Sequence, residues 1–206
     1  MRKLSWLLTF WVACGSTDAV SDAAVDGVAA PGDTTVLGDI GLLEDIPEAP
    51  DPGVVAAILS GPGFWDSPWP SDERGVADVA RFPNQDAAAY VPTLIDMVAV
   101  ADGFSETGGV FFRFDGSVGT LPSLARTAEA DFPVLLVSLA DGARIPLRAS
   151  FYAQAPSRFG ANHQLALVPL QGRPLAPKTR HAAIVRTSLN DAAGLPLRRA
   201  PGASST

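Results

Sequence analysis

Apolar and polar positions follow different periods in successive parts of the chain. Residues 4–13 form a largely apolar run, whereas residues 15–53 mix small, polar and acidic side chains without a regular period. The 3.6-residue spacing of apolar positions predicts a helix over residues 86–101. Four residues share one face of that helix: Tyr90, Leu94, Val98 and Ala101. We expect this face to pack against the core.

From residue 109 onward the pattern is typical of β-strands. Five segments combine apolar, β-branched or aromatic residues with Gly and Pro at their borders: residues 109–115, 134–139, 145–152, 164–169 and 181–188. Asp141-Gly142 is a tight-turn dipeptide, so it predicts a hairpin between the second and third segments. Short strands with this spacing favour a mainly β fold, an antiparallel β-sandwich with one or two accessory helices.

Charged residues are unevenly distributed along the chain. The net charge is -7, but residues 14–73 carry 12 acidic side chains and no basic one, whereas residues 74–206 carry a net +3. Such asymmetry is typical of an acidic arm beside a folded unit. We therefore predict a signal peptide over residues 1–13, an acidic disordered tether over 14–53, a domain over 54–200 and a disordered tail over 201–206. The negative balance argues against a nucleic-acid binder.

The N-terminus has the features of a bacterial export signal. Arg2 and Lys3 precede an apolar run of ten residues, which is too short to cross a membrane and typical of a signal peptide. Val12-Ala13-Cys14-Gly15 resembles a lipobox, the site at which bacterial lipoproteins are cleaved and lipid-modified. The resemblance implies that Cys14 is the lipid attachment point and that the membrane is a partner. Gly15 favours the outer membrane or cell surface; a cleaved periplasmic or secreted protein is the alternative.

Two segments of the domain resemble known bacterial modules. Pro174-Leu175-Ala176-Pro177, followed by the strand from His181 and by the Asp191–Leu197 turn, resembles the C-terminal half of bacterial Ig-like domains. Together with Trp69-Pro70-Ser71-Asp72, this pattern is similar to the N-terminal Ig-like domain of secreted bacterial lipases of the virulence-factor type. The resemblance implies an Ig-like fold, with His181 where the family usually has Tyr.

Candidate chemistry in the chain is sparse. There is no Gly-x-Ser-x-Gly elbow, phosphate-binding loop or dinucleotide fingerprint, and one Cys and two His leave little material for a metal site. We expect no catalytic residue, no metal and no cofactor. His163 is interpreted as a turn residue, and the Asp72-Glu73 pair has no third group to support acid–base chemistry. Phe64, Trp65 and Trp69 are interpreted as side chains that pack at the edge of the core. The alternative is an aromatic surface that binds a ligand.

Two functions follow from these expectations. The first is a non-enzymatic, lipid-anchored envelope protein whose Ig-like module binds a protein or cell-surface partner or acts as a spacer. The second is the accessory N-terminal domain of a lipase or esterase whose catalytic part is encoded elsewhere. We expect either a stand-alone surface module or a truncated product of a longer gene.

Overall fold

Seven strands and one α-helix form the regular structure of the part of the chain that the computed structural model describes, namely residues 7–13, 53–74, 78–127, 129 and 131–201. The elements are β1 (Leu7–Ala13), β2 (Ala57–Ile58), α1 (Val91–Ala99), β3 (Val110–Phe114), β4 (Val134–Ser138), β5 (Leu147–Tyr152), β6 (Gln164–Pro169) and β7 (Arg180–Arg186). Short 3-10 turns lie at Phe64–Asp66, Gln85–Ala87, Leu124–Arg126 and Thr187–Leu189.

The strands form two antiparallel sheets. One has the order β1-β7-β4 and the other the order β2-β3-β6-β5. This confirms the prediction of a mainly β, antiparallel fold with a helix outside the sheets. In β3 the period of two is visible directly, because Val110, Phe112 and Phe114 are buried while Phe111 and Arg113 are half-buried.

The predicted hairpin between β4 and the next strand is wrong beyond its first residues. Asp141 Oδ1 accepts a hydrogen bond from Ala143 N–H at 3.0 Å, and Gly142 takes a φ of 72°, as the turn dipeptide predicts. The chain then bonds back to β4 as far as Ile145, whose N–H donates to Leu136 O at 2.8 Å. Pro146 has no N–H to continue that ladder, and β5 pairs instead with β6 in the other sheet.

One core contains side chains from both sheets. The largest fully buried residues are Phe112, Phe114, Phe132, Leu136, Leu147, Leu165, Leu167, His181, Val110, Val134 and Val185. Because the two sheets bury their apolar positions in the same cluster, neither sheet has a core of its own.

The turn after β7 is held by a buried carboxylate. Asp191 Oδ1 accepts hydrogen bonds from the N–H groups of Ala193 (2.9 Å) and Leu195 (3.0 Å). Gly194 adopts a φ of 83°, a conformation that L side chains rarely take. Asp191 and Gly194 therefore both have structural roles in this turn.

The N-terminal apolar run is a strand in this structure. Residues 7–13 form β1, which pairs antiparallel with β7 along its whole length. The assignment of residues 1–13 to a signal peptide stays a prediction. Cys14, the predicted tether except Gly53, and residues 202–206 lie outside the described residues.

Candidate functional site: an apolar cleft beside the helix

Aromatic side chains meet in the coil between β2 and α1. Phe64 contacts Trp65 edge-on at 4.7 Å between ring centroids and Trp69 at 5.1 Å. Trp69 is fixed through its backbone, because it exchanges two hydrogen bonds with Phe111 at the edge of β3 (3.1 and 2.7 Å). The Pro residues in this segment prevent a helix, so the rings are held by a coil rather than by a regular element.

Arg74 holds this coil in place. Its guanidinium donates to Phe64 O (2.7 Å) and Ser67 O (3.3 Å) and pairs with Asp78 at 2.7 Å. It also lies over the Phe64 ring, 4.4 Å from the centroid. A hydrogen bond from Arg81, together with the charge and hydrogen bond of Arg74, lowers the pKa of Asp78, so that this carboxylate stays ionised at neutral pH. A buried, planar cation thus joins backbone carbonyls that belong to no strand.

An apolar cleft of about 320 Å³ opens between this coil and α1. Its lining side chains are all apolar or aromatic: Phe64, Trp69, Val79, Phe82, Tyr90, Val91, Leu94, Ile95, Val98 and Phe159. Phe82 and Phe159 form one wall, with their rings stacked at 5.9 Å. Trp65 supports that wall, since its indole N–H donates to Phe159 O at 2.8 Å. The volume lies at the lower end of the range for small-molecule sites.

The helix turns its apolar side toward this cleft and toward solvent. The expectation that α1 packs its face into the core is wrong: Tyr90, Leu94 and Val98 are 63%, 50% and 40% exposed, and Val91 is the one buried residue of the helix. The helix begins at Val91 with Pro92 in its first turn, five residues later than the sequence predicts. It is too short to bury a whole face, so its apolar residues line an opening instead.

A second, wider groove of about 860 Å³ runs along the other side of α1. It shares Trp69, Leu94 and Val98 with the cleft, and Met97 and Phe104 lie in its floor or walls. Its remaining lining includes charged residues, namely Asp102, Glu106 and Lys178. The two concavities together surround the exposed side of the helix with a largely apolar surface.

The aromatic residues singled out in the sequence have divided roles. Phe64 is buried, as expected of a side chain that packs at the edge of the core. Phe64 and Trp69 also line the cleft. Sequence reasoning missed Phe82 and Phe159, which stand 77 positions apart. No local pattern joins two such positions, because their stacking is produced by the fold of the intervening strands.

The polar candidates lie apart from the cleft. His163 occupies a turn with a φ of 56° and its Nδ1 is 3.3 Å from Ser117 Oγ. His181 is buried in β7 and Asp72 pairs with Arg180 at 3.0 Å. Across the described residues, no group of three or more His, Cys, Asp or Glu side chains is arranged to hold a metal ion. Nor is any helix in these ranges long and apolar enough to cross a membrane.

Comparisons of the chain with protein-family models, with curated proteins and with solved structures found no match.

Proposed function

We propose that this protein is a non-enzymatic binding module with an Ig-like β-sandwich fold, attached to the bacterial cell envelope through lipid-modified Cys14. The apolar cleft beside α1 is its binding site, and the site receives an apolar part of its partner. The observation that carries the proposal is the lining of this cleft, which is apolar apart from the phenol of Tyr90 and includes exposed Leu94 and Val98. Apolar side chains clustered around a concave opening mark sites of interaction.

The Ig-like fold is supported by the two antiparallel sheets and their shared core. A non-enzymatic role is supported by the composition of the cleft, since its lining contains no acid, base or nucleophile except the exposed phenol of Tyr90. General acid–base and nucleophilic catalysis both need such groups within reach of the substrate.

The binding site is tested on the purified full chain with an anilinonaphthalene dye, which fluoresces in apolar surroundings. We expect Leu94→Glu to weaken dye binding by about tenfold or more, because it places a charge at the cleft. Thr93→Glu is the matched control: it is also exposed on α1 but lines neither concavity, so it should bind the dye as the wild type does. Equal effects of the two variants would contradict the site.

The anchor is tested separately in cells. Radiolabelled palmitate should be incorporated into the wild-type protein and not into Cys14→Ser, and globomycin should block processing. An unlabelled product in the medium that is unchanged by Cys14→Ser would contradict the anchor.

The non-enzymatic role has its own test. The purified protein should show no turnover of nitrophenyl esters; a turnover that one Ser or His substitution removes would contradict the non-enzymatic role.

A second candidate function is an accessory domain for a lipase or esterase. The wider groove favours it, because Met97 and Phe104 lie in the same groove as the charged residues Asp102, Glu106 and Lys178, and protein interfaces combine apolar residues with a polar rim. Reading the DNA beyond codon 206 separates the two functions. A continuing frame, or an adjacent gene, that carries Gly-x-Ser-x-Gly would favour the accessory domain.

A further inference from the structure

Strand β1 shows how the outer edge of β7 receives another strand. The two run antiparallel over seven residue pairs, from Leu7 opposite Arg186 to Ala13 opposite Arg180. On its other side β7 pairs with β4. Strand β7 is therefore an interior strand of its sheet while β1 is present.

The backbone groups that β7 directs toward β1 follow from the ladder with β4. Leu139 N–H donates to Arg180 O at 2.9 Å, and Arg186 N–H donates to Pro133 O at 2.8 Å, so the even-numbered residues of β7 bond toward β4. The N–H and C=O groups of alternate residues point to opposite sides of a strand. The odd-numbered residues His181, Ala183 and Val185 therefore bond toward β1, opposite Val12, Phe10 and Leu8.

The outer edges of the other described strands are covered, short or charged, whereas β7 carries charged side chains only at its two ends, Arg180 and Arg186. The outer side of β4 bonds to residues 143–145, β2 is two residues long, and β5 has Arg148 within it. Strand β7 has neither Pro nor a formally charged side chain between Arg180 and Arg186. A long apolar edge without such features pairs readily with an added strand.

Residues 7–13 are also the apolar run assigned to the signal peptide, so the next step rests on the proposed function. Cleavage before Cys14 removes β1 and exposes the edge of β7. We propose that, in the processed protein, β7 accepts a strand from a different polypeptide. The accepted strand is about seven residues long, uncharged and apolar, and runs antiparallel to β7 as β1 does.

A second copy of this chain fits the edge less well than a different polypeptide. If two β7 strands paired symmetrically about Ala183, Arg180 of each would lie opposite Arg186 of the other. Like charges directly opposite each other destabilise a strand pair. In the observed register both arginines lie opposite uncharged residues, Leu7 and Ala13.

The test uses the full chain, purified from the cytoplasm, with a protease site inserted between Ser16 and Thr17. After cleavage, a fluorescent peptide of residues 5–15, with Ser for Cys14, is added and binding is followed by anisotropy. We expect saturable binding, and hydrogen exchange should show that the amides of His181, Ala183 and Val185 become protected. Co-elution of the cut strand with the domain supports the proposal equally, because the strand is then held without a covalent link.

N-methylated peptides supply the matched controls. N-methylation of Phe10 removes an N–H that bonds toward β7 and should weaken binding by about tenfold, whereas N-methylation of Trp11 alters an N–H on the far side and should leave binding nearly unchanged. A folded, cut domain that releases its strand and binds no peptide overturns the proposal, as does equal weakening by both modifications. A dimer of the cut domain that excludes the peptide overturns it in favour of a second copy.

The mass of the protein isolated from the cell envelope shows whether residues 1–13 are removed. This measurement tests the proposed export separately from the strand-accepting property of β7. If residues 1–13 are retained there, the proposed export fails and no open edge arises in the cell. Peptide binding by the cut chain decides the strand-accepting property of β7 independently of that result.

Discussion

Single side chains fix the turn that follows β7 and the interior of β7 itself. Asp191 and His181 are both buried polar residues, but they differ in their partners. The Asp191 carboxylate accepts two backbone N–H groups. The His181 ring nitrogens are buried with no partner at normal hydrogen-bond geometry within the described residues. Replacement by an apolar side chain should therefore cost more stability at Asp191 than at His181.

Asp191→Ala is expected to lower the free energy of unfolding by about 2–4 kcal/mol, since it removes two hydrogen bonds that backbone N–H groups donate to a buried, charged carboxylate. The loss is measured by urea unfolding at neutral pH. Asp141→Ala is the matched control: Asp141 bonds to Ala143 in a similar turn but is exposed, so its loss should cost less than about 1 kcal/mol. Equal losses would mean that burial does not increase the contribution of Asp191 to the free energy of unfolding.

His181 predicts a specific pH dependence of stability. Desolvation by burial lowers the pKa of His181 below its ordinary value of 6.5, and the backbone of Thr179 and the nearby Asp141 carboxylate oppose this without reversing it. As the pH falls below 6.5, the unfolded chain takes up a proton that the folded chain does not. The contribution of His181 is therefore complete above that pH and decreases until the pH reaches the folded-state pKa.

We expect His181→Leu to remove this contribution and to change stability at neutral pH by less than about 1.5 kcal/mol, because the replacement is apolar and similar in volume. The comparison is made by urea unfolding of the full chain at several values between about pH 7.5 and 5. A variant with the same pH slope as the wild type would show that His181 does not titrate as its burial requires.

At the scale of the element, α1 contributes one buried and one exposed valine to the cleft. Val91 is 5% exposed where it lines the cleft, whereas Val98 is 40% exposed and lines both concavities. The sequence pattern shows which apolar residues share a helix face. It does not show which part of the molecule that face contacts. That part is the aromatic coil held by Arg74.

The two valines allow a test with identical chemistry. Val91→Ala should lower the free energy of unfolding by about 1.5–3 kcal/mol, because it removes two buried methyl groups and leaves a cavity. Val98→Ala, as the matched control, should cost less than about 1 kcal/mol, since part of its surface is already in water. Thermal and urea unfolding measure both; a larger loss for Val98 would place the core on the opposite side of the helix.

At the scale of the whole molecule, the two sheets depend on each other because their buried residues belong to one cluster. Leu136 comes from β4 in one sheet and Leu165 from β6 in the other, and both are fully buried. No part of either sheet retains a core if the other is lost. Unfolding of the described domain should therefore be cooperative.

Leu136→Ala and Leu165→Ala should each lower the free energy of unfolding by about 2–5 kcal/mol and shift a single transition. Far-ultraviolet circular dichroism reports the strands and tryptophan fluorescence reports the aromatic coil, and the two transitions should coincide in each variant. Separate transitions, with each variant moving one of them, would contradict a shared core.

The sequence by itself determined strands β3 to β7, two turns and the mainly β class. Alternation in Val110–Phe114, the Asp141-Gly142 dipeptide and the Asp191–Gly194 turn are local signals, because backbone sterics and hydrogen bonds within a few residues decide them. The tertiary structure alone decided that β5 leaves β4 for β6, that α1 faces an opening, and that Phe82 stacks on Phe159. These pairings join positions far apart in the chain, and the free energy that selects them comes from burial shared between elements rather than from any one of them.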